Sequence, residues 1–195
     1  MGSEMCIRDR LCPKRRDKPA SELAMRKRKP LKSTFCGRTQ ALNRLCRFVA
    51  RWPKPCCLHS SILADEMVDR GVDVTVLEND DQRVYVRGFL HYDVCRPRPL
   101  DQRFGLIICE PIGLTFSMTE LCAAISVLSQ QDCRQKILLC CSRRQRSAVR
   151  KCLSEFRVRA TGFRPRHQLI EGGKPTGDEF YSNLDARQMR QLVGP

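Results

Sequence analysis

From residue 33 onward the apolar positions alternate between two periods. Leu42, Leu45, Cys46 and Val49 recur at i, i+3, i+4 and i+7, which predicts an amphipathic helix that Pro53 and Pro55 bring to an end. The short apolar run Cys56-Cys57-Leu58 precedes a second helix around Ile62, Leu63 and Met67 that closes at Gly71. Val72, Val74, Val76 and Leu77 predict a β-branched strand ending at Glu78, and Tyr85 to Tyr92 another short strand ending near Asp93. The stretch from Phe104 to Cys109 is apolar almost throughout, the pattern of a strand buried on both faces of a parallel sheet. Ser117 and Glu120 have the spacing of a capping box, with Met118, Leu121, Cys122, Ile125 and Leu128 as the inward stripe of the helix they open. Lys136 to Cys141 predicts the next buried strand, after which Ser142 caps a basic helix with Val149, Cys152, Leu153 and Phe156 on its apolar face. Two last strands, Arg157–Phe163 and Glu179–Asn183, flank a Gly-rich turn without a helix between them.

Strands alternating with helices predict right-handed crossovers and a doubly wound α/β sheet, and the last pair predicts an antiparallel edge hairpin. In such sheets ligands bind beyond the carboxyl ends of the strands. That singles out His59, Ser60 and Ser61, then Glu78, Asp93 and the segment Glu110-Pro111-Ile112-Gly113. Glu78 follows Ser60 by 18 residues, close to the separation at which an acid after the second strand accepts hydrogen bonds from ribose hydroxyls. An acid that merely ends a strand in a polar turn has the same spacing, so both readings stay open here. Leu58-His59-Ser60-Ser61-Ile62 contains no glycine, which argues against a dinucleotide, whose pyrophosphate needs close backbone approach. A nucleoside cofactor without phosphate, such as S-adenosylmethionine, has no such need.

Composition changes the picture in two places. The 195 residues carry 36 Lys and Arg against 21 Asp and Glu, a formal charge of +15. Residues 1–32 hold 11 of those bases and four of the acids, a net of +7, and their apolar residues follow no period. They predict a disordered basic tail ahead of a domain spanning residues 33–195. Lys14-Arg15, a ten-residue spacer and Arg26-Lys27-Arg28-Lys29 match a bipartite nuclear-import signal, for which a solvated basic arm is the plain alternative. The first ten residues read as translated sequencing adaptor and are given no functional weight. The thirteen cysteines include no Cys-x-x-Cys pair and the three histidines stand alone, which predicts buried thiols in a reducing compartment and no metal centre. No apolar run approaches the roughly 18 residues of a membrane span.

The motifs, taken in order, resemble the small eukaryotic methyltransferases once named N6-adenine-specific, which include the elongation factor 1-alpha lysine methyltransferases. Thr34-Phe35-Cys36-Gly37 with Thr39 and Ala41 stands where that family has a Gln-Phe-Trp-Tyr-Ser segment. Cys57-Leu58-His59-Ser60-Ser61 is similar to its glycine-poor first motif, and Val76-Leu77-Glu78-Asn79-Asp80 with Arg83 to its Leu-Leu-Glu-Tyr-Asp and following Arg. Phe89-Leu90-His91-Tyr92-Asp93 and Pro99-Leu100 resemble its Phe-x-x-Tyr-Asp and Pro-Leu, and Phe104 to Pro111 its Phe-Asp-Leu-Val-Ile-Ala-Asp-Pro. Lys136 to Cys140 matches its fifth strand, while Phe163 to His167 and Glu179 to Asp185 resemble its closing Asn-Glu-Phe-x-x-Tyr-x-Asn-Tyr-Asp. The likeness runs from Ser33 to about Asp185.

The resemblance implies a Rossmann-like, seven-stranded class I methyltransferase sheet with an antiparallel edge hairpin, and S-adenosylmethionine as cofactor. It implies His59, Ser60, Ser61, Glu78 and Asp93 as cofactor-binding residues, with Glu78 on the ribose and Asp93 near the adenine amino group. In the family an Asp-Pro-Pro-Phe motif positions the acceptor amine through a carboxylate, a prolyl carbonyl and an aromatic ring. Here the motif reads Glu110-Pro111-Ile112-Gly113: the acid is one methylene longer, the second proline is gone and so is the ring. Glu110 and Pro111 are the expected catalytic residues, with Phe116 as the replacement aromatic. The expected acceptor is a protein lysine, of the kind carried by elongation factor 1-alpha. An adenine amino group in RNA or DNA is the second substrate class, and the bases Arg143, Arg144, Arg146, Arg150 and Lys151 with the tail could then contact RNA phosphates, for which a solvated outer face is the favoured alternative. A member of another class, catalytically degenerate and serving as a binding or assembly subunit, stays open because a misplacement of about 1 Å costs on the order of a hundredfold in rate. The expected compartment is the cytoplasm, with the nucleus open through the tail.

Overall fold

The structure, a computed structural model, describes residues 40–110, 116–164 and 178–194. The basic tail, the Thr34–Gly37 segment, Pro111-Ile112-Gly113 and Pro165-Arg166-His167 lie outside the described residues. The described residues contain β1 (Cys56–Leu58), β2 (Thr75–Glu78), β3 (Phe89–His91), β4 (Leu106–Cys109), β5 (Lys136–Ser142), β6 (Arg159–Ala160) and β7 (Asp178–Ser182). They form one seven-stranded sheet in the order β3-β2-β1-β4-β5-β7-β6. The first five strands pair in parallel, β7 runs antiparallel to β5, and β6 antiparallel to β7. This is the α/β sheet with an antiparallel edge that the apolar pattern predicts.

Both faces of the sheet are covered. Helices α1 (Gln40–Val49), α2 (Ser61–Asp69), α3 (Met118–Leu128), α4 (Arg146–Cys152) and α5 (Ala186–Val193) divide between them. Successive side chains of a strand point to opposite faces. Ile107 and Cys109 of β4 accordingly join a core with Leu121 and Ile125 of α3 and Val149 of α4. Leu106 and Ile108 join a second core with Leu45 of α1, Leu63 and Met67 of α2 and Leu192 of α5. All four residues of β4 are fully buried, and each large apolar side chain so placed contributes about 1.5–3 kcal/mol. The central strands are apolar without alternation because neither face meets water.

Local chemistry moves several predicted boundaries. Residues 72–74 precede β2 and do not pair within it. The strand expected from Tyr85 begins only at Phe89. Asp80 accepts from the Gln82 amide at 3.0 Å and opens a 3-10 turn over Asp81–Arg83, and a further turn bonds the Val86 amide to the Arg83 carbonyl at 2.9 Å. Val84 and Tyr85 are left 71% and 79% exposed, so an apolar-looking run is a surface loop. Ser142 opens a 3-10 turn over Arg143–Gln145 before α4 begins, and Cys152, expected on the buried face of that helix, is exposed. The expected 157–163 strand shrinks to Arg159–Ala160, because Arg157 (φ 53°) and Gly162 (φ 78°) both leave the extended region. Pairing to β7 still resumes at Thr161, whose amide donates to Phe180 O at 2.9 Å. Helix α5 has no counterpart in the pattern-based reading. Asp185 and Gln188 form a capping box there, with reciprocal bonds of 2.8 and 2.9 Å, and that spacing before Met189 and Leu192 was the available signal.

Among the described residues the strand cysteines Cys56, Cys57, Cys109, Cys140 and Cys141 lie in the core as expected, whereas Cys95, Cys133 and Cys152 are exposed. Burial pushes the thiols of Cys57, Cys109 and Cys140 well up, so they remain neutral and poorly nucleophilic.

One glycine leads into β3 under a hard constraint. A Cβ on Gly88 (φ +80°) would lie 2.1 Å from the Val74 carbonyl oxygen, whereas one on Gly71 (φ +71°) would meet nothing within 4 Å. Gly71→Ala is expected to cost about 1 kcal/mol of backbone strain, and Gly88→Ala about 3 kcal/mol, with the larger fall in Tm for Gly88→Ala. Paired thermal or urea melts check the difference; equal losses would show that the close approach to Val74 is not tight.

Candidate functional site

The central strands end level with one another. Leu58 of β1 pairs with Leu77 of β2 on one side and with Cys109 of β4 on the other. The next residue on each strand is polar, so Glu78, His59 and Glu110 fall side by side across three adjacent strands. Each is 5% exposed, which makes this row a buried polar cluster at the carboxyl edge of an otherwise apolar sheet centre. The register brings together the three residues singled out by their place after successive strands.

His59 stands at the turn from β1 to α2 with φ +48°, a left-handed conformation uncommon for a residue bearing a Cβ. Its amide continues the sheet by donating to Leu77 O at 3.0 Å. Its ring Nδ1 lies 2.9 Å from Glu78 Oε2. The other Glu78 oxygen, Oε1, accepts from Ser61 Oγ at 2.8 Å. Both oxygens of this buried carboxylate therefore have donors, which is how a buried acid remains tolerable. Ser60 does something different. Its hydroxyl lies 3.3 Å from both the Leu58 and the Ile108 carbonyl oxygens, bridging β1 to β4. Arg83 joins the same turn to the next: it donates to Ser61 O at 3.2 Å and pairs with Asp65 of α2.

Glu110 has the opposite environment. Among the described residues its Oε1 is buried with no hydrogen-bond partner, and burial pushes its carboxyl up from 4.5 to about 7. His59 Nε2 is likewise buried and unpartnered. Two unsatisfied polar atoms on residues in register form an uncommon arrangement, since leaving one such atom bare costs about 1–3 kcal/mol. A ligand offering hydrogen-bond partners would offset that cost.

Phe116 meets this cluster. Its ring centroid is 5.1 Å from that of His59 at an interplanar angle of 61°, an edge-on contact, while its body packs on the core beside α3. Asp93 reaches the same edge of the sheet, because the Tyr92 amide extends the β2–β3 pairing by donating to Glu78 O at 2.8 Å. Its Oδ1 accepts from the Cys95 amide at 2.9 Å, so part of the carboxylate shapes its own loop. Pro111 lies outside the described residues.

Beyond the end of β5 the sequence turns basic. Arg143 and Arg144 form the 3-10 turn that follows Ser142, and Arg146, Arg150 and Lys151 follow on α4, all of them exposed. Arg143 approaches Glu179 of β7 at 4.0 Å, a long contact from an exposed guanidinium to a largely buried carboxylate. These bases flank the carboxyl edge that carries Glu110.

What sequence spacing did not reveal is the Glu78–His59 pairing. The available signal was that His59 and Glu78 each directly follow neighbouring strands, which parallel register would place side by side.

Glu110 sets a pH dependence of stability. Its native carboxyl titrates near 7 against 4.5 when unfolded, so between those values only the folded chain holds the proton. Stability from this group is complete below about 4.5, falls as pH rises, and is lost above about 7. Glu110→Gln should match the parent near pH 4.5 and exceed it by about 2–3 kcal/mol at pH 8. Denaturant melts at the two pH values test this, and a difference independent of pH would mean that the carboxyl is hydrated.

A family model described as "Probable N6-adenine methyltransferase" matches residues 56–185, from the first residue of β1 past the end of β7 and more than half of the chain. No curated protein matches the chain.

Proposed function

The chain belongs to the N6-adenine methyltransferase family, and from that premise we propose that it transfers a methyl group from S-adenosylmethionine to an amine, with a protein lysine as the acceptor. The observation that carries the reading is the pair of buried atoms His59 Nε2 and Glu110 Oε1, without partners among the described residues, at the carboxyl ends of adjacent central strands. Such atoms fit a ligand with N–H and O–H groups, as a nucleoside cofactor and an amine both have. When bound, S-adenosylmethionine supplies an electrophilic sulfonium methyl.

The residues divide the work by position. Glu78, with His59 and Ser61, takes the ribose end of the cofactor, and Asp93 the base edge. Glu110 Oε1 accepts an N–H of the acceptor amine and orients its lone pair, the kind of positioning that supplies most of the acceleration in such a transfer. Pro111 would add its carbonyl. Phe116 closes the wall beside His59 and keeps water from the reacting groups. An ionised Glu110 holds a lysine ammonium on arrival, and its raised titration near 7 lets it exchange a proton at neutral pH.

Lysine is favoured over adenine by Phe116. A flipped base is held by stacking on an aromatic face, whereas the Phe116 ring beside this row makes an edge contact with His59. Elongation factor 1-alpha is the first acceptor to test. A second reading, an adenine amino group in RNA, draws on the exposed bases Arg143, Arg144, Arg146, Arg150 and Lys151 at the same edge of the sheet.

Calorimetry should show S-adenosylmethionine binding to the parent and at least a tenfold loss in Glu78→Ala. Labelled methyl should appear on a protein acceptor and not on RNA. Absence of cofactor binding by the folded parent would sink the enzyme reading. Binding without transfer to any protein or RNA would identify a degenerate member acting as a binding subunit. Transfer to RNA, with affinity falling steeply with salt, would establish the second reading instead.

A further inference from the structure

We propose that the groove between α1 and α5 is a docking surface for single-stranded RNA, held through its phosphates and 2′-hydroxyls. These two helices pack on the layer of the sheet opposite α3 and α4. The inference does not depend on the methyltransferase reading.

The charge of this surface begins in the sequence. No Asp or Glu occurs between Glu22 and Asp65, a stretch that contains the whole of α1, and α5 has none either. Arg44, Arg47 and Arg51 follow one another at i, i+3 and i+7, so they share one face of α1 and of the turn that continues it. That face is turned from the core, which Leu42, Leu45, Cys46, Phe48 and Val49 occupy. Gln40, one turn before Arg44, extends the row. All four side chains are exposed, and among the described residues none of the three arginines is paired with a carboxylate.

The opposite wall comes from α5. Gln191 and Gly194 meet the arginines across a groove of about 380 Å³, which Phe48 also lines. Arg44 donates to the Val193 carbonyl at the end of α5 and so joins the two helices. Among the described residues no acid lines the groove. Glu66 of the neighbouring α2 is held by Arg70 at 2.7 Å, and Asp185 caps α5 by accepting from the Gln188 amide at 2.8 Å.

The chemistry favours RNA over other anions. The three guanidiniums span about 10 Å of helix and turn, over which a nucleic-acid strand presents about three phosphates. A guanidinium is planar and bonds phosphate oxygens in pairs. The side-chain amides of Gln40 and Gln191 both donate and accept, which suits a 2′-hydroxyl, a group that DNA lacks. Trp52 follows Arg51 directly. It is only partly buried and stands edge-on to Phe48 with ring centroids 6.0 Å apart, a surface on which an unpaired base can stack. An acidic peptide would meet the arginines but would use neither the amides nor the indole.

The test follows the fluorescence anisotropy of three labelled probes on the full chain: a single-stranded RNA, a DNA of the same sequence and a polyglutamate peptide. RNA should bind most tightly, with an affinity that falls steeply with salt. Arg47→Gln/Arg51→Gln, which leaves the Arg44–Val193 bond in place, should weaken RNA binding about tenfold and reduce the salt slope by about 1–1.5. Gln191→Ala should narrow the gap between RNA and DNA and leave that slope unchanged. Arg146→Gln/Arg150→Gln on α4 should bind RNA like the parent. Equal affinity for DNA, tighter binding of polyglutamate, or an Arg47→Gln/Arg51→Gln variant that binds like the parent overturns the assignment. So does a loss in the α4 variant as large as that in the α1 variant. Binding of S-adenosylmethionine, read by calorimetry, should be the same in the parent and in Arg47→Gln/Arg51→Gln, so the two readings stand or fall separately.

Discussion

The centre of this sheet is closed to water on both faces, and the site follows from that constraint. β1 and β4 are buried at every position, as are the five inner residues of β5, so no polar side chain can be tolerated within those stretches. Polar chemistry can begin only where the strands stop. Because β1, β2 and β4 are parallel and in register, they stop together. The result is a single line of polar residues, Glu78, His59 and Glu110, at one edge of an apolar slab.

Two carboxylates in that line meet the cost of burial in opposite ways. Glu78 is satisfied by an imidazole and a hydroxyl. Glu110 has an oxygen with no partner among the described residues and holds its proton to near neutrality. Glu110 thus keeps an acid in the row, and Phe116, just ahead of α3, places an aromatic ring at its margin.

The charge of the chain carries less information than its size suggests. Nearly half of the +15 lies in residues 1–32. Of the rest, the bases that bear on the site are those of the 3-10 turn and α4, at the edge where the row of polar residues lies.

The sequence by itself determined the fold class, the order of the central strands' burial and the edge hairpin. Uninterrupted apolar runs such as Leu106-Ile107-Ile108-Cys109 have few places to go except between two layers. It also marked each polar residue that ends a strand, since the change from apolar to charged is local. It misjudged Tyr85 and Cys152 and passed over α5, where a cap, a turn or a left-handed residue overrides the period. Only the tertiary structure decided that His59 would lie against Glu78 and that Glu110 Oε1 would meet no partner among the described residues. Those facts depend on inter-strand register and on a positive φ at His59, and neither is encoded in the spacing of residues along one strand.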